Sequence, residues 1–164
     1  MSASAMLTAR TGSRERILKY MLWLANIESE LVLARGIEAD HSDAKLPDPE
    51  TYGHLLVRVK TERGPLLLHA GARHAPFGYL PPQVRGERAL VVNPSAEQIT
   101  TPAIDLASEL RTVELDVTLA ADGQGKLHVR ETHRGASAVE WRNDLDAIPR
   151  AELETRFEQS YAGS

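Results

Sequence analysis

Thr11-Gly12-Ser13-Arg14-Glu15-Arg16-Ile17-Leu18-Lys19-Tyr20-Met21-Leu22 opens an amphipathic segment from which the rest of the chain can be read. Ile17, Met21 and Leu24 recur at i, i+4 and i+7, and Leu18, Leu22 and Ala25 widen the stripe. This spacing predicts a helix over Ser13 to Ala25 with the stripe in a core. Ser13 suits the N-cap, Glu15 the positively polarised first turn, and Asn26 the left-handed residue that closes a helix. A glycine followed by a small nucleophile at a helix mouth is also a common way to present a thiol. There the free N–H groups and partial positive charge lower the thiol pKa. Here the nucleophile is oxygen, and the chain contains no cysteine.

Outward from this helix, Glu30 to Ala34 reads as a strand. Gly36 to Glu50 is a polar loop holding Asp40, His41, Asp43, Pro47 and Pro49. His54 to Val59 is a second strand, with His54, Leu56 and Arg58 on one face and Leu55, Val57 and Val59 on the other. Thr61-Glu62-Arg63-Gly64 makes a hairpin turn, and Pro65 to His69 returns with Leu66, Leu67 and Leu68 buried on both faces. His74 to Gly86 is rich in proline and glycine, a rigid turning segment, and Leu90 to Val92 is a short fourth strand.

Asn93-Pro94-Ser95 and Thr100-Thr101-Pro102 mark a boundary, dividing the chain into residues 1–102 and 103–164. In the second part Val113, Leu115, Val117 and Leu119 alternate with Glu114, Asp116 and Thr118, and Leu127 and Val129 resume the alternation after Asp122-Gly123-Gln124-Gly125. Keeping Leu119 and Leu127 on one face requires an odd loop, of three residues with a glycine bulge, and sets Asp116 opposite Arg130. Gly135 to Ile148 reads as a helix with Trp141 and Leu145 in a core. Pro149 breaks it, and Leu153, Phe157 and Tyr161 stripe a last helix. The first helix begins close to residue 1 and the last pattern runs into Ala162-Gly163-Ser164 without a stop signal, so both ends read as those of a fragment.

The 164 residues are 42% hydrophobic and 26% charged, the balance of a globular protein. A net charge of −4 argues against a general nucleic-acid footprint. No apolar run approaches a membrane span of ~20 residues, and Met1 to Met6 lacks the character of a signal peptide. No glycine-rich phosphate loop or other cofactor motif is present; Gly12 stands alone and Gly123 and Gly125 sit in the hairpin turn. His41, His54, His69 and His74 with Asp40 and Asp43 include metal-ligand types, but their spacing matches no zinc motif. Arg73, Arg85 and Arg88 suit a solvated basic face.

The order helix, strand, loop, strand opening on a histidine, strand ending on a polar residue matches a triad template. A nucleophile stands on the helix start, a base on one strand and an orienting group on the next. The three places are Ser13, His54 and His69. Thr11 to Arg35, Tyr52 to Val59 and Leu66 to Val92 resemble the core of bacterial transglutaminase-like proteins of the papain-like superfamily. The most specific stretch is Ala75-Pro76-Phe77-Gly78-Tyr79-Leu80-Pro81-Pro82-Gln83-Val84-Arg85-Gly86, which is similar to the segment after the third catalytic strand in that family's large multi-domain members. The resemblance implies a cysteine at the place of Ser13, a histidine at His54, and an aspartate at the place of His69. Two of the three are changed.

The expected fold is therefore α+β, a partial papain-like core with a helix on an antiparallel sheet, followed by a β-hairpin and helices that begin a companion domain. A serine hydroxyl must be deprotonated during attack, and His69 offers no negative charge to stabilise an imidazolium at His54. A protonated His69 would repel it. Asp40 and Asp43 are the carboxylates near His54 in sequence that could substitute. The expected function is a degenerate module that binds a peptide or protein partner in the former cleft; the residues carry no localisation signal, and the resemblance implies a periplasmic or envelope-associated parent. The alternatives are a serine-dependent acyl hydrolase or transferase using Ser13 and His54, and a purely structural domain. In the last case Ser13 is an ordinary cap and the histidines are strand and turn residues.

Overall fold

The computed structural model describes residues 3–39 and 51–162; Asp40, His41 and Asp43 lie outside the described residues. The chain divides into two compact units, Met1–Ile104 and Asp105–Ser164.

In the first unit, helix α1 (Ala3–Ala9) precedes helix α2 (Arg14–Leu24). Nothing in the amphipathic pattern announced α1, which has only two long apolar side chains, Met6 and Leu7. Met6 is 5% exposed, and its backbone carbonyl accepts the Thr11 N–H at 3.1 Å. A Cβ at Gly12, whose φ is +98°, would lie 2.7 Å from the Met6 sulfur, so both the conformation and the space call for glycine there.

Ser13 caps α2 as expected, its Oγ accepting the Arg16 N–H at 3.3 Å. At the other end Asn26 takes φ +57°, the Asn26 N–H reaches the Trp23 carbonyl at 3.0 Å and the Ile27 N–H reaches the Leu22 carbonyl at 2.9 Å. This pair of bonds is the Schellman ending that a left-handed residue after the cap permits. The predicted core stripe is corrected. No residue of α2 is fully buried, and Met21, Trp23 and Leu24 are 54%, 63% and 59% exposed. The apolar arc is wider than the contact, and only its Ile17, Leu18 and Leu22 side is half-buried.

Five antiparallel strands follow: β1 (Ser29–Ala34), β2 (His54–Thr61), β3 (Gly64–Leu68), β4 (Arg88–Val91) and β5 (Gln98–Thr100), in spatial order β3-β2-β1-β4-β5. Helix α2 lies against β1 and β2. Val32, Ala34, Leu56, Leu67, Ala89 and Val91 share a core with Leu80 and Val84 from the proline-rich segment. Pro82–Val84 forms a single 3₁₀ turn, which suits the fixed φ of Pro82 and aims Val84 into the core. Leu67 alone of the three leucines of β3 is fully buried, because β3 is an edge strand and the core reaches one of its faces. Strand β5 falls just before the expected boundary. Thr101 is buried, accepts the Glu87 N–H at 3.0 Å and donates its hydroxyl to the Val84 carbonyl, tying this stretch to the first unit.

Away from the core, Arg58 bridges the sheet. Its guanidinium donates to Glu30 at 2.6 Å and to Glu97 at 2.7 Å. These bonds lower the pKa of both carboxyls and raise that of the guanidinium.

In the second unit β6 (Arg111–Leu119) and β7 (Gly125–His133) form a hairpin, followed by α3 (Gly135–Ala147) and α4 (Leu153–Ala162). The hairpin loop has three residues, Ala121-Asp122-Gly123, because the Ala120 N–H bonds the Gln124 carbonyl at 2.8 Å. The predicted pairing of Asp116 with Arg130 is corrected: Asp116 faces His128, and Glu114 faces Arg130. Gly123 must occupy the last loop position, where φ is +83°, and this moves the register by two residues without changing which side chains share a face. That face is open: Leu115, Val117, Leu119 and Leu127 are 60–76% exposed. Helix α3 buries Ala136, Ala138 and Val139. Trp141, expected in a core with Leu145, is half-buried like it and stacks on Phe157 at 5.8 Å.

Candidate functional site

Ser13, His54 and His69 stand on the three elements that the triad template requires. Ser13 precedes α2, His54 is the first residue of β2, and His69 follows the last residue of β3. A hydrogen bond from Arg14 Nη1 to the Gly71 carbonyl, 3.0 Å, links the start of α2 to the turn after β3.

The Ser13 hydroxyl is engaged both as donor and as acceptor. Its Oγ donates to Glu15 Oε2 at 2.8 Å and accepts the Arg16 N–H at 3.3 Å. Among the described residues it makes no hydrogen bond to His54. A hydrogen bond to a carboxylate is roughly twice as strong as a neutral one, so Glu15 holds the proton that an attacking oxygen would have to surrender.

His54 approaches a carboxylate, but neither of those expected. Its Nε2 lies 3.5 Å from Glu38 Oε1, while Asp40 and Asp43 lie outside the described residues. Glu38 folds back over Gly36, where an added Cβ would come within 2.6 Å of Oε1. The imidazole is 36% exposed and the carboxylate 66%, so solvent screens the pair.

His69 is half-buried, and its Nδ1 is buried without a hydrogen-bond partner among the described residues. Burial lowers its pKa from 6.5, Glu15 acts in the opposite sense, and His54 lowers it further. The ring packs against Gly71, where a Cβ would lie 2.6 Å from Nε2. His69 therefore favours the neutral form and supplies no anionic support to His54.

Of the arginines read as a solvated basic face, Arg73 and Arg88 are exposed, and Arg85 is more engaged than that. Arg85 is half-buried, donates from Nε to the Leu80 carbonyl at 2.6 Å and lies over the Tyr79 ring at 5.3 Å. For the metal reading, no group of three or more His, Asp or Glu side chains gathers to hold an ion among the described residues. No helix among the described residues is long and apolar enough to cross a membrane.

Sequence reasoning missed the part played by Glu15 and all of that played by Glu38. The Ser-x-Glu spacing at a helix start signalled the first. The second depends on a turn at Gly36 that no spacing announces. Comparison of the chain with protein-family models, with curated proteins and with solved structures finds no match in any of the three.

Proposed function

We propose that the first unit is a catalytically degenerate transglutaminase-like module of papain-like architecture. Its retained role is to hold a peptide or protein partner where the start of α2, the start of β2 and the end of β3 approach one another. The observation that carries this reading is geometric: Arg14 at the start of α2 bonds the Gly71 carbonyl just past β3 at 3.0 Å, and β3 pairs antiparallel with β2, its last residue Leu68 opposite Val57. Three segments distant in sequence thus come together. The groups gathered there are poor chemistry: a serine whose proton is committed to Glu15, and a neutral imidazole where an acid would be needed. The part-exposed imidazole of His54 and carboxylate of Glu38 remain for binding.

The test has two arms. The chain is assayed for amide hydrolysis and for acyl transfer from a glutamine-containing peptide to a fluorescent amine, with no turnover expected. A random-peptide phage library is then panned on it, and the selected peptides are expected to lose binding in His54→Ala. Turnover abolished by Ser13→Ala overturns the degenerate reading. Selected binders indifferent to His54→Ala, or no binders at all, overturn the cleft. The approach of Glu38 to His54 favours a second reading, a serine-dependent acyl hydrolase or transferase using Ser13 and His54; covalent labelling of Ser13 by a fluorophosphonate would decide for it.

A further inference from the structure

We propose that Ser137, His133 and Glu131 form a nucleophilic centre in the second unit, independent of the cleft at Ser13, that hydrolyses short-chain esters seated against Trp141. His133 ends β7, and Glu131 lies two residues earlier on the same strand face. The chain then turns through Arg134 and Gly135, whose φ is +63°, into α3. Ser137 is four residues beyond His133, and its Oγ lies 2.7 Å from His133 Nδ1. His133 Nε2 lies 3.0 Å from Glu131 Oε2. The imidazole and carboxylate side chains are only 13% and 14% exposed. Arg111 Nη2 contacts both Glu131 oxygens, at 3.2 and 3.1 Å, and fixes the carboxylate on its far side.

The order is nucleophile, base and orienting acid, each within hydrogen-bond reach of the next. The tautomer that satisfies both contacts carries its proton on Nε2, donated to Glu131, and leaves Nδ1 to accept the Ser137 hydroxyl. As the third residue of α3, Ser137 also carries an N–H that no carbonyl of the helix can reach. Glu109 holds the neighbouring Ala136 N–H at 2.7 Å, so the Ser137 N–H is the donor left for a developing oxyanion. The Trp141 ring lies 5.2 Å from His133 and walls a cavity of about 210 Å³ whose lining is apolar at Leu145, Ile148, Leu153 and Phe157 and charged at Asp144 and Arg156. That volume is below the range of drug-sized sites and suits a short acyl chain. In the reaction the Ser137 oxygen bonds the ester carbonyl carbon and its proton passes to Nδ1. The carbon–oxygen bond to the alcohol breaks, and the alcohol leaves with that proton. Water then attacks the acyl group, restoring the hydroxyl and releasing the acid.

The test uses the 164-residue chain with p-nitrophenyl butyrate and a fluorophosphonate, the labelled peptide being identified by mass spectrometry. The label is expected on Ser137. Hydrolysis is expected to fall by about 100-fold or more, towards the buffer rate, in Ser137→Ala and in His133→Asn, and by at least about 10-fold in Glu131→Gln. Alanine is a good helix residue, so Ser137→Ala keeps α3 and remains decisive if the histidine variant does not fold. Absence of label from Ser137, hydrolysis unchanged by Ser137→Ala, or activity lost only on Ser13→Ala overturns the proposal. Because Ser13 and Ser137 lie on different peptides, this result is read separately from that for the cleft.

Discussion

Ser13 gives its proton to Glu15 and takes the N–H of Arg16, so the helix start consumes both capacities of the hydroxyl. A cysteine placed there would feel two opposed fields, the helix N-terminus favouring a thiolate and the Glu15 carboxylate opposing it. Alkylation of Ser13→Cys against pH is therefore expected to give a thiol near or above the ordinary ~8.5. Adding Glu15→Gln should lower that value by about one unit; superimposed profiles would mean that Glu15 does not face the nucleophile's place. His69 gives a second expectation. Its native pKa is below 6.5, so as pH falls through 6.5 the unfolded chain takes up a proton before the native one does. Stability is then lost until the native group also protonates. Denaturant titrations between pH 8 and 5 should show this slope, and His69→Gln should flatten it. Ser13 and the two histidines were legible in sequence because each sits at an element boundary that the pattern marks. Glu38 was not, since its carboxylate reaches His54 only by folding over the buried Gly36.

Helix α2 shows how local chemistry fixes an element whose packing does not follow from its pattern. Its start and stop were readable from Ser13 and Asn26, because caps act within one turn. Its burial was not, because a stripe states what could be covered and not what does the covering. Asn26→Ala puts a Cβ-bearing residue without a compensating amide at φ +57° and is expected to cost about 1 kcal/mol, while Asn26→Gly should cost nothing measurable. Urea unfolding followed by Trp23 fluorescence distinguishes the two. The hairpin carries the same lesson in register. Alternation fixed the faces and the odd loop, but the pairing was decided by which residue must take positive φ, and Gly123 took it. Strand β5 escaped notice because three residues, Gln98–Thr100, are too few to display a period.

At the level of the whole molecule, the α+β class and the order of the elements other than α1 and β5 were readable, and the sheet order β3-β2-β1-β4-β5 was not, because non-local pairing leaves no trace in local spacing. The core of the first unit is small and depends on few side chains, with Leu56 the largest of those fully buried. Leu56→Ala is expected to lower its stability by about 3 kcal/mol, read as a shift of the urea midpoint with an unchanged slope. A cost under about 1 kcal/mol would show that the strands do not enclose this position. A handful of positions thus carry the first unit, and they lie on strands drawn from residues 32 to 91 and on the proline-rich turn between them.

The wedge of Met6 beneath Gly12 reaches further than its size suggests. A protease that clips the leading nine residues, or an oxidant that turns the thioether into a bulkier sulfoxide, would withdraw or distort the floor on which the Gly12–Ser13 bend rests. The Ser13 hydroxyl, one residue past that glycine, would register damage done to a side chain of the preceding helix.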